Sequence, residues 1–254
     1  MRYKLTLAYD GTLFHGWQKQ APPGKDPLRT VQGVVEQAIR EVARQPVNLL
    51  GASRTDSGVH ARGQVAQFDA DLPIPIERLH LAINSRLPED VEVLSAEGVA
   101  DTFDCIRDVT TKRYRYRLFN TSRRPLWRRH LVYHCWTPLD VARMSEAAGR
   151  LVGRHDVAGF AAAGHGRQDT VRNVHHCAVE RHEEVDGDGP EVHVVIEGDG
   201  FIYNQVRIVA GTLVEVGRGR FEPDVIDRIL ATGDRALAGP TLPPQGLCLE
   251  WIRY

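Results

Sequence analysis

Apolar positions in this chain change their period several times, and each change marks an element. Lys4-Leu5-Thr6-Leu7-Ala8-Tyr9-Asp10 alternates apolar with polar, the repeat of a half-buried strand. Val31, Val34, Val35, Ala38, Ile39 and Val42 then recur at helical spacing behind Thr30, an N-cap residue type, which predicts an amphipathic helix over 31–45. Strand-like runs follow at 47–50, 64–69 and 91–99, with a helix near 75–85. Residues 114–119 alternate again, and 132–136 read as a strand. A helix beginning near Thr137-Pro138 carries Val141, Met144, Ala148 and Leu151. Two long strand patterns, 173–182 and 191–198, flank an acidic stretch at 183–188 that reads as a solvated hairpin tip. Helices at 204–216 and 223–231 precede a last strand at 247–253. The Pro-containing stretches 21–27 and 239–245 read as loops.

Strands and helices are thus mixed, with hairpin signals and no strict βαβ rhythm. That predicts an α+β fold around a largely antiparallel sheet. Each half, 1–104 and 105–254, has roughly the element order of a split βαβ unit, although no sequence repeat links them. With 42% hydrophobic and 26% charged residues, the 254-residue chain has the composition of a soluble globular protein. No apolar run approaches the ~20 residues of a membrane span, and the start enters a strand pattern with no signal-peptide core. Cys105, Cys135, Cys177 and Cys248 lie far apart with no Cys/His ligand pair. They read as reduced thiols of a cytoplasmic protein, with no metal site expected. His130 and His134 are four apart, but in a strand entry, which is the wrong element for a metal pair at that spacing.

Net charge is −1, so the whole chain does not announce a nucleic-acid partner. Its distribution does. From Cys105 to His130 there are nine basic residues (Arg107, Lys112, Arg113, Arg115, Arg117, Arg123, Arg124, Arg128, Arg129) and one acid, Asp108, for a local charge of 9 − 1 = +8. Scattered lysines would suggest a solvated face. Here arginine dominates and Tyr114, Tyr116, Phe119 and Trp127 are interleaved, a composition suited to phosphates and stacked bases.

One string carries candidate chemistry: Gly51-Ala52-Ser53-Arg54-Thr55-Asp56-Ser57-Gly58-Val59-His60-Ala61. It puts a single carboxylate, Asp56, before a Ser-Gly turn and two residues after Arg54. Asp before Ser-Gly is also what an ordinary Asx-turn uses. Arg54 so placed can hold Asp56 ionised or grip a phosphate. No phosphate-binding glycine loop is present, since Gly198-x-Gly200 lacks the third glycine of a dinucleotide fingerprint.

The eleven-residue string resembles the active-site motif of the TruA family of tRNA pseudouridine synthases. Further blocks resemble that family in its own order: Tyr9-Asp10-Gly11-Thr12-Leu13-Phe14-His15-Gly16-Trp17-Gln18-Lys19-Gln20; Arg29-Thr30-Val31-Gln32-Gly33; Lys112-Arg113-Tyr114-Arg115-Tyr116; and Gly198-Asp199-Gly200-Phe201-Ile202-Tyr203-Asn204-Gln205-Val206-Arg207, followed by Gly211-Thr212-Leu213. The resemblance implies the pseudouridine synthase-like fold, two ferredoxin-like halves with a cleft between them, and isomerisation of uridine to pseudouridine at positions 38–40 of the tRNA anticodon stem-loop. It implies a homodimer with one tRNA spanning both subunits, and no cofactor, since isomerisation consumes nothing.

Asp56 then corresponds to the catalytic aspartate, attacking the nucleoside or deprotonating the ribose. Tyr114 would stack on the target uracil and assist proton transfer at C5, where an alternating strand position otherwise suggests a core tyrosine. Arg207, on an apolar helix, needs a partner when buried; Asp56 is the natural one, and another acid would serve a purely structural bridge. The site would lie between the halves. Arg54 would take a phosphate or fill the space of a flipped nucleotide, and His60 would pack beneath the loop. Phe160 and residues 167–173, with Arg172, resemble a block contacting RNA backbone. Phe103-Asp104-Cys105-Ile106-Arg107-Asp108 stands where many members carry Phe-His-Ala-Arg-Phe, so no RNA contact is carried over to it. Two rival readings have other chemistry. A non-catalytic RNA-binding or chaperone module needs no paired carboxylate, and a nucleoside hydrolase would want an Asp cluster for a metal-bound water.

Overall fold

The computed structural model describes residues 1–24, 26–162, 164, 166, 168–183 and 189–254. Most of the acidic 183–188 stretch and Arg167 therefore lie outside the described residues. The chain forms two compact units, Met1–Thr110 with Leu249–Tyr254, and Thr111–Cys248. Most of the last strand, from Leu249 on, thus belongs to the first unit, whereas a cut at 104/105 leaves it in the second.

In the first unit, β1 (Arg2–Tyr9) alternates as its sequence predicts, burying Tyr3, Leu5, Leu7 and Tyr9. It lies between β4 (Val91–Val99) and β3 (His60–Asp69), antiparallel to both. The register opposes Arg2 to Asp69 and Tyr3 to Phe68, which form a salt bridge and a ring stack at 5.1 Å. β10 (Leu247–Arg253) follows β3 in the strand order. Helix α1 (Val31–Ala43) starts at Thr30, whose hydroxyl accepts the Gly33 amide at 3.3 Å. Helix α2 (Ile76–Asn84) packs on β4, and Asn84 bridges it to the Val93 backbone at 2.8 and 3.0 Å.

Two expectations for this unit need correcting. β3 starts at His60, four residues before the sequence shows it, because His60-Ala61-Arg62-Gly63 carries no alternation of large apolar side chains although His60, Ala61 and Gly63 are buried. The strand expected at 47–50 reduces to β2 (Leu50–Gly51). Side chains of α1 take the ladder positions instead: Arg40 donates to the Val47 carbonyl, Gln32 to the Leu49 carbonyl, and Glu36 accepts the Leu49 amide.

The second unit carries β5 (Thr111–Phe119), β9 (Glu191–Gly198), β8 (Val171–His182) and β7 (Gly153–Asp156) in that order, each antiparallel to the next, with the short β6 (Tyr133–His134) parallel to β5. The strand expected at 132–136 is no longer than β6, because the Asn120 amide takes the Cys135 and Thr137 carbonyls, both at 2.8 Å. Helix α3 (Val141–Gly149) correspondingly begins at Asp140, whose carboxylate accepts the Arg143 amide, and not at Thr137. β7 has no apolar alternation and was not visible in the sequence. Helix α4 (Gln205–Gly217) is buried over nearly its whole length, and α5 (Val225–Thr232) follows it. The sheets are mainly antiparallel and the class is α+β, as read from the sequence.

Candidate active site

The loop that carries Asp56 is held from several sides within the first unit. Its turn is closed by the Val59 amide donating to the Asp56 carbonyl at 3.1 Å, with Gly58 at φ +79°. Thr55 is buried; its carbonyl accepts the Trp17 amide at 3.0 Å and its hydroxyl lies 2.8 Å from the Tyr9 hydroxyl. The Ser57 hydroxyl and the Gly58 amide both donate to the Phe14 carbonyl, at 3.1 and 3.3 Å. Upstream, the Gln64 side chain clasps Ser53, accepting its amide at 3.2 Å and donating to its carbonyl at 2.5 Å.

The opening block 9–20 is therefore the scaffold of the loop. Gly16, at φ +88°, has no room for a side chain: a Cβ there would stand 2.8 Å from the Thr55 carbonyl oxygen. Arg29 pairs with Asp90 through two 2.9 Å bonds and lies over the Phe14 ring at 4.0 Å, fixing the segment that carries Phe14. His60 is buried beneath the loop; its Nδ1 accepts the Gly11 amide at 3.1 Å and lies 3.2 Å from an Asp10 oxygen. Amid all these fixed neighbours, Asp56 is half-buried and Arg54 is exposed. A half-buried carboxylate on a backbone held in this way can meet a substrate with little reorganisation.

The second unit presents the other candidates. Tyr114 lies on β5 opposite Ile196 of β9, buried, with its ring edge-on to Phe201 at 5.2 Å and 86°. Arg172 lies at the start of β8; its stem passes 3.6 Å from where a Gly200 Cβ would stand, and it donates to the Val171 carbonyl at 2.6 Å. Its guanidinium is 3.9 Å from Asp169. Tyr114, Phe201, Gly200 and Arg172 are thus neighbours. Arg207 follows six residues after Phe201, in the first turn of α4, which Asn204 starts from a left-handed φ of +62°. Its Nε donates to the Leu242 carbonyl and Nη1 to the Asn204 side chain, both at 2.7 Å. The loop supplying Leu242 reaches the helix at Gly211, where any Cβ would sit 1.9 Å from the Pro240 oxygen. That close approach explains the glycine of the Gly211-Thr212-Leu213 block.

The basic segment is less positive than its sequence suggests. Arg107 pairs with Asp108 at 2.8 Å, Arg113 with Glu197 at 2.9 Å, and Arg117 and Arg128 with Glu191 at 2.8 and 2.5 Å. Glu191 and Glu197 come from β9, which the segment's own sequence cannot reveal. Glu191 is fully enclosed. Burial alone would raise its pKa, but the His193 and Arg117 hydrogen bonds and the charges of Arg117 and Arg128 hold it down at about 2. Among the described residues, no three His, Cys, Asp or Glu side chains gather as a metal-ligand set, and no helix is long and apolar enough to cross a membrane.

Residues 6–106 and 147–254 match a family model described as tRNA pseudouridine synthase. The chain is 41% identical over 251 residues to tRNA pseudouridine synthase A 2 of Clostridium perfringens, covering 99% of this chain and 98% of that one. It is 43% identical over 256 residues to tRNA pseudouridine synthase A of Bacillus pumilus, covering 100% of this chain and 99% of that protein. The same-named protein of Myxococcus xanthus is 43% identical over 253 residues, 100% of this chain and 92% of its own.

Proposed function

The chain belongs to the tRNA pseudouridine synthase family, and from that membership we propose that it converts uridine to pseudouridine at positions 38–40 of the tRNA anticodon stem-loop, with Asp56 as the catalytic carboxylate. As a member of that family it is an isomerase. The N1–C1′ bond of the uridine breaks, the uracil turns, C5 bonds to C1′, the C5 hydrogen leaves as a proton, and N1 gains one. Nothing is consumed, so the reading needs no cofactor. Asp56 acts at the sugar or the base while the glycosidic bond breaks. Tyr114 stacks on the freed uracil and serves the C5 proton. Arg207 completes the set as its arginine. Arg54 and Arg172 bind the RNA backbone of the displaced nucleotide.

The observation that carries the assignment is the treatment of Asp56: Ser53, Thr55, Ser57, Gly58 and Val59 of its loop are all held by hydrogen bonds, while Asp56 itself stays half-buried among them. A loop fixed to this degree suits chemistry better than binding alone. The working form is a homodimer in the cytoplasm, where its tRNA substrate is made. Transcripts carrying tritium at uridine C5 test the reading, because moving the glycosidic bond to C5 expels that hydrogen. Wild type releases tritium without added cofactor and Asp56→Asn does not. Wild type that binds tRNA but releases none would leave only an RNA-binding module.

A further inference from the structure

Residues 120–135 leave β5 and return to it as one closed excursion, and its construction is unusual for a surface loop. Its ends are tied by the parallel β5–β6 pairing, Phe119 opposite His134, and by the Asn120 amide on Cys135 and Thr137. Its middle is pinned by Arg128, which reaches inward to the fully enclosed Glu191 at 2.5 Å, with Pro125 and Val132 buried on either side. Turn bonds from the Leu126, Arg128 and Leu131 amides to the Arg124, Pro125 and Arg128 carbonyls make the stretch between them compact. Burying an ion pair contributes little net stability. Here it holds rigid a loop whose outer face carries Trp127 at 83% exposure beside exposed Arg123, Arg124 and Arg129.

We infer that this loop is a nucleic-acid docking surface, in which Trp127 stacks on an unpaired or terminal base and Arg123, Arg124 and Arg129 hold the flanking phosphates of the tRNA. The inference rests on the reading of tRNA as substrate and adds a contact outside the Asp56, Tyr114 and Arg207 set. Charge decides between this occupant and a second copy of the chain. No Asp or Glu lies between Asp108 and Asp140. Among the described residues, Arg123 and Arg124 make no ion pair, and Arg129 donates only to the Leu126 carbonyl, at 2.9 Å. A two-fold interface would turn this cationic patch on itself, whereas RNA brings the complementary charge, and an exposed ring beside arginines is how single-stranded bases are gripped.

The test uses the full chain with Trp127→Ala, Trp127→Phe and the double variant Arg123→Glu/Arg124→Glu. Affinity for a tRNA transcript is measured by fluorescence anisotropy across a salt series, with light scattering and tritium release alongside. Trp127→Ala weakens binding roughly tenfold, the scale of one lost stack, and Trp127→Phe restores most of it. The double variant lowers the slope of log affinity against log salt by about 2, one for each phosphate contact. In all three KM rises, kcat at saturating tRNA holds, and the oligomeric state is unchanged. Unaltered affinity and slope would overturn the inference. So would variants that change the association state, since the loop would then be an interface between copies. Failure of wild type to release tritium removes the enzyme reading, while the salt-dependent binding still decides the role of the loop.

Discussion

The backbone leading into Asp56 is anchored by a side chain from the strand behind it. Gln64 is fully enclosed on β3 and satisfies both backbone groups of Ser53, three residues before the carboxylate; its amide also stands 3.4 Å from the Tyr9 hydroxyl. Leucine there has similar volume but makes neither of the two hydrogen bonds to Ser53. Unmade buried hydrogen bonds cost about 1–3 kcal/mol each. Gln64→Leu should therefore lower unfolding free energy by about 2–3 kcal/mol in urea titrations. It should also cut single-turnover tritium release more than tRNA affinity. Equal losses in both would show Gln64 supporting the unit as a whole and not the aspartate. Tyr9→Phe removes only the hydroxyl facing Thr55 and should cost about 1 kcal/mol.

At the scale of elements, α1 shows how polar residues can replace a strand's ladder. Glu36 is almost fully buried, yet it accepts from Lys19 at 2.7 Å, from Arg40, and from the Leu49 amide at 3.0 Å. Glu36→Ala should cost about 2 kcal/mol, and hydrogen exchange at the Leu49 amide should speed up while exchange within β1 stays slow. Protection retained at Leu49 would mean that another group holds the segment. Much of the fold was legible in the sequence where burial follows a period, as in β1, α1 and β9. It was hidden where the apolar pattern lapses, as in His60-Ala61-Arg62-Gly63 at the start of β3, and where side chains take over the backbone's partners: Glu36 and Gln32 shorten the strand at 47–50, and Asn120 shortens β6. The candidate site was legible as a motif centred on Asp56. What the motif could not show is that Tyr9, Phe14, Gly16 and Gln64 hold its loop, because those contacts join residues up to 55 positions apart. Nor could it show that Glu191 and Glu197 would neutralise part of the arginine-rich segment.

Across the whole molecule, the buried acid at the start of β9 sets a pH response. Glu191 titrates at about 2 in the folded protein against an ordinary 4.5, so the folded state binds fewer protons than the unfolded one. Its contribution is fully present above about 4.5 and is lost as pH falls towards 2. The shift corresponds to stabilisation on the order of 3 kcal/mol. His193, 2.7 Å from Glu191, is also held below its usual value, by burial first and then by the His182 and Arg115 charges, the Glu191 hydrogen bond opposing. A lowered histidine stabilises above its unfolded pKa and loses that contribution on acidification, so the two groups act in the same direction. Thermal midpoints should fall steadily from about pH 6.5 downward, and Glu191→Gln should flatten the part of that slope below pH 4.5. An unchanged slope would assign acid sensitivity to other groups.

The placement of the last strand bears on how the protein is made. Residues Leu249–Tyr254 complete the unit that carries Asp56: the Thr110 amide donates to the Arg253 carbonyl, the Tyr254 hydroxyl donates to the Cys105 carbonyl, both at 2.9 Å, and the Tyr254 ring meets Phe103 at 5.0 Å. On the ribosome, the first 110 residues emerge with β3 still lacking the neighbour that β10 supplies, and they wait while the entire second unit is synthesised. The Asp56 loop is thus translated early and the unit that carries it is completed last, so an interrupted chain holds the motif in an unfinished unit.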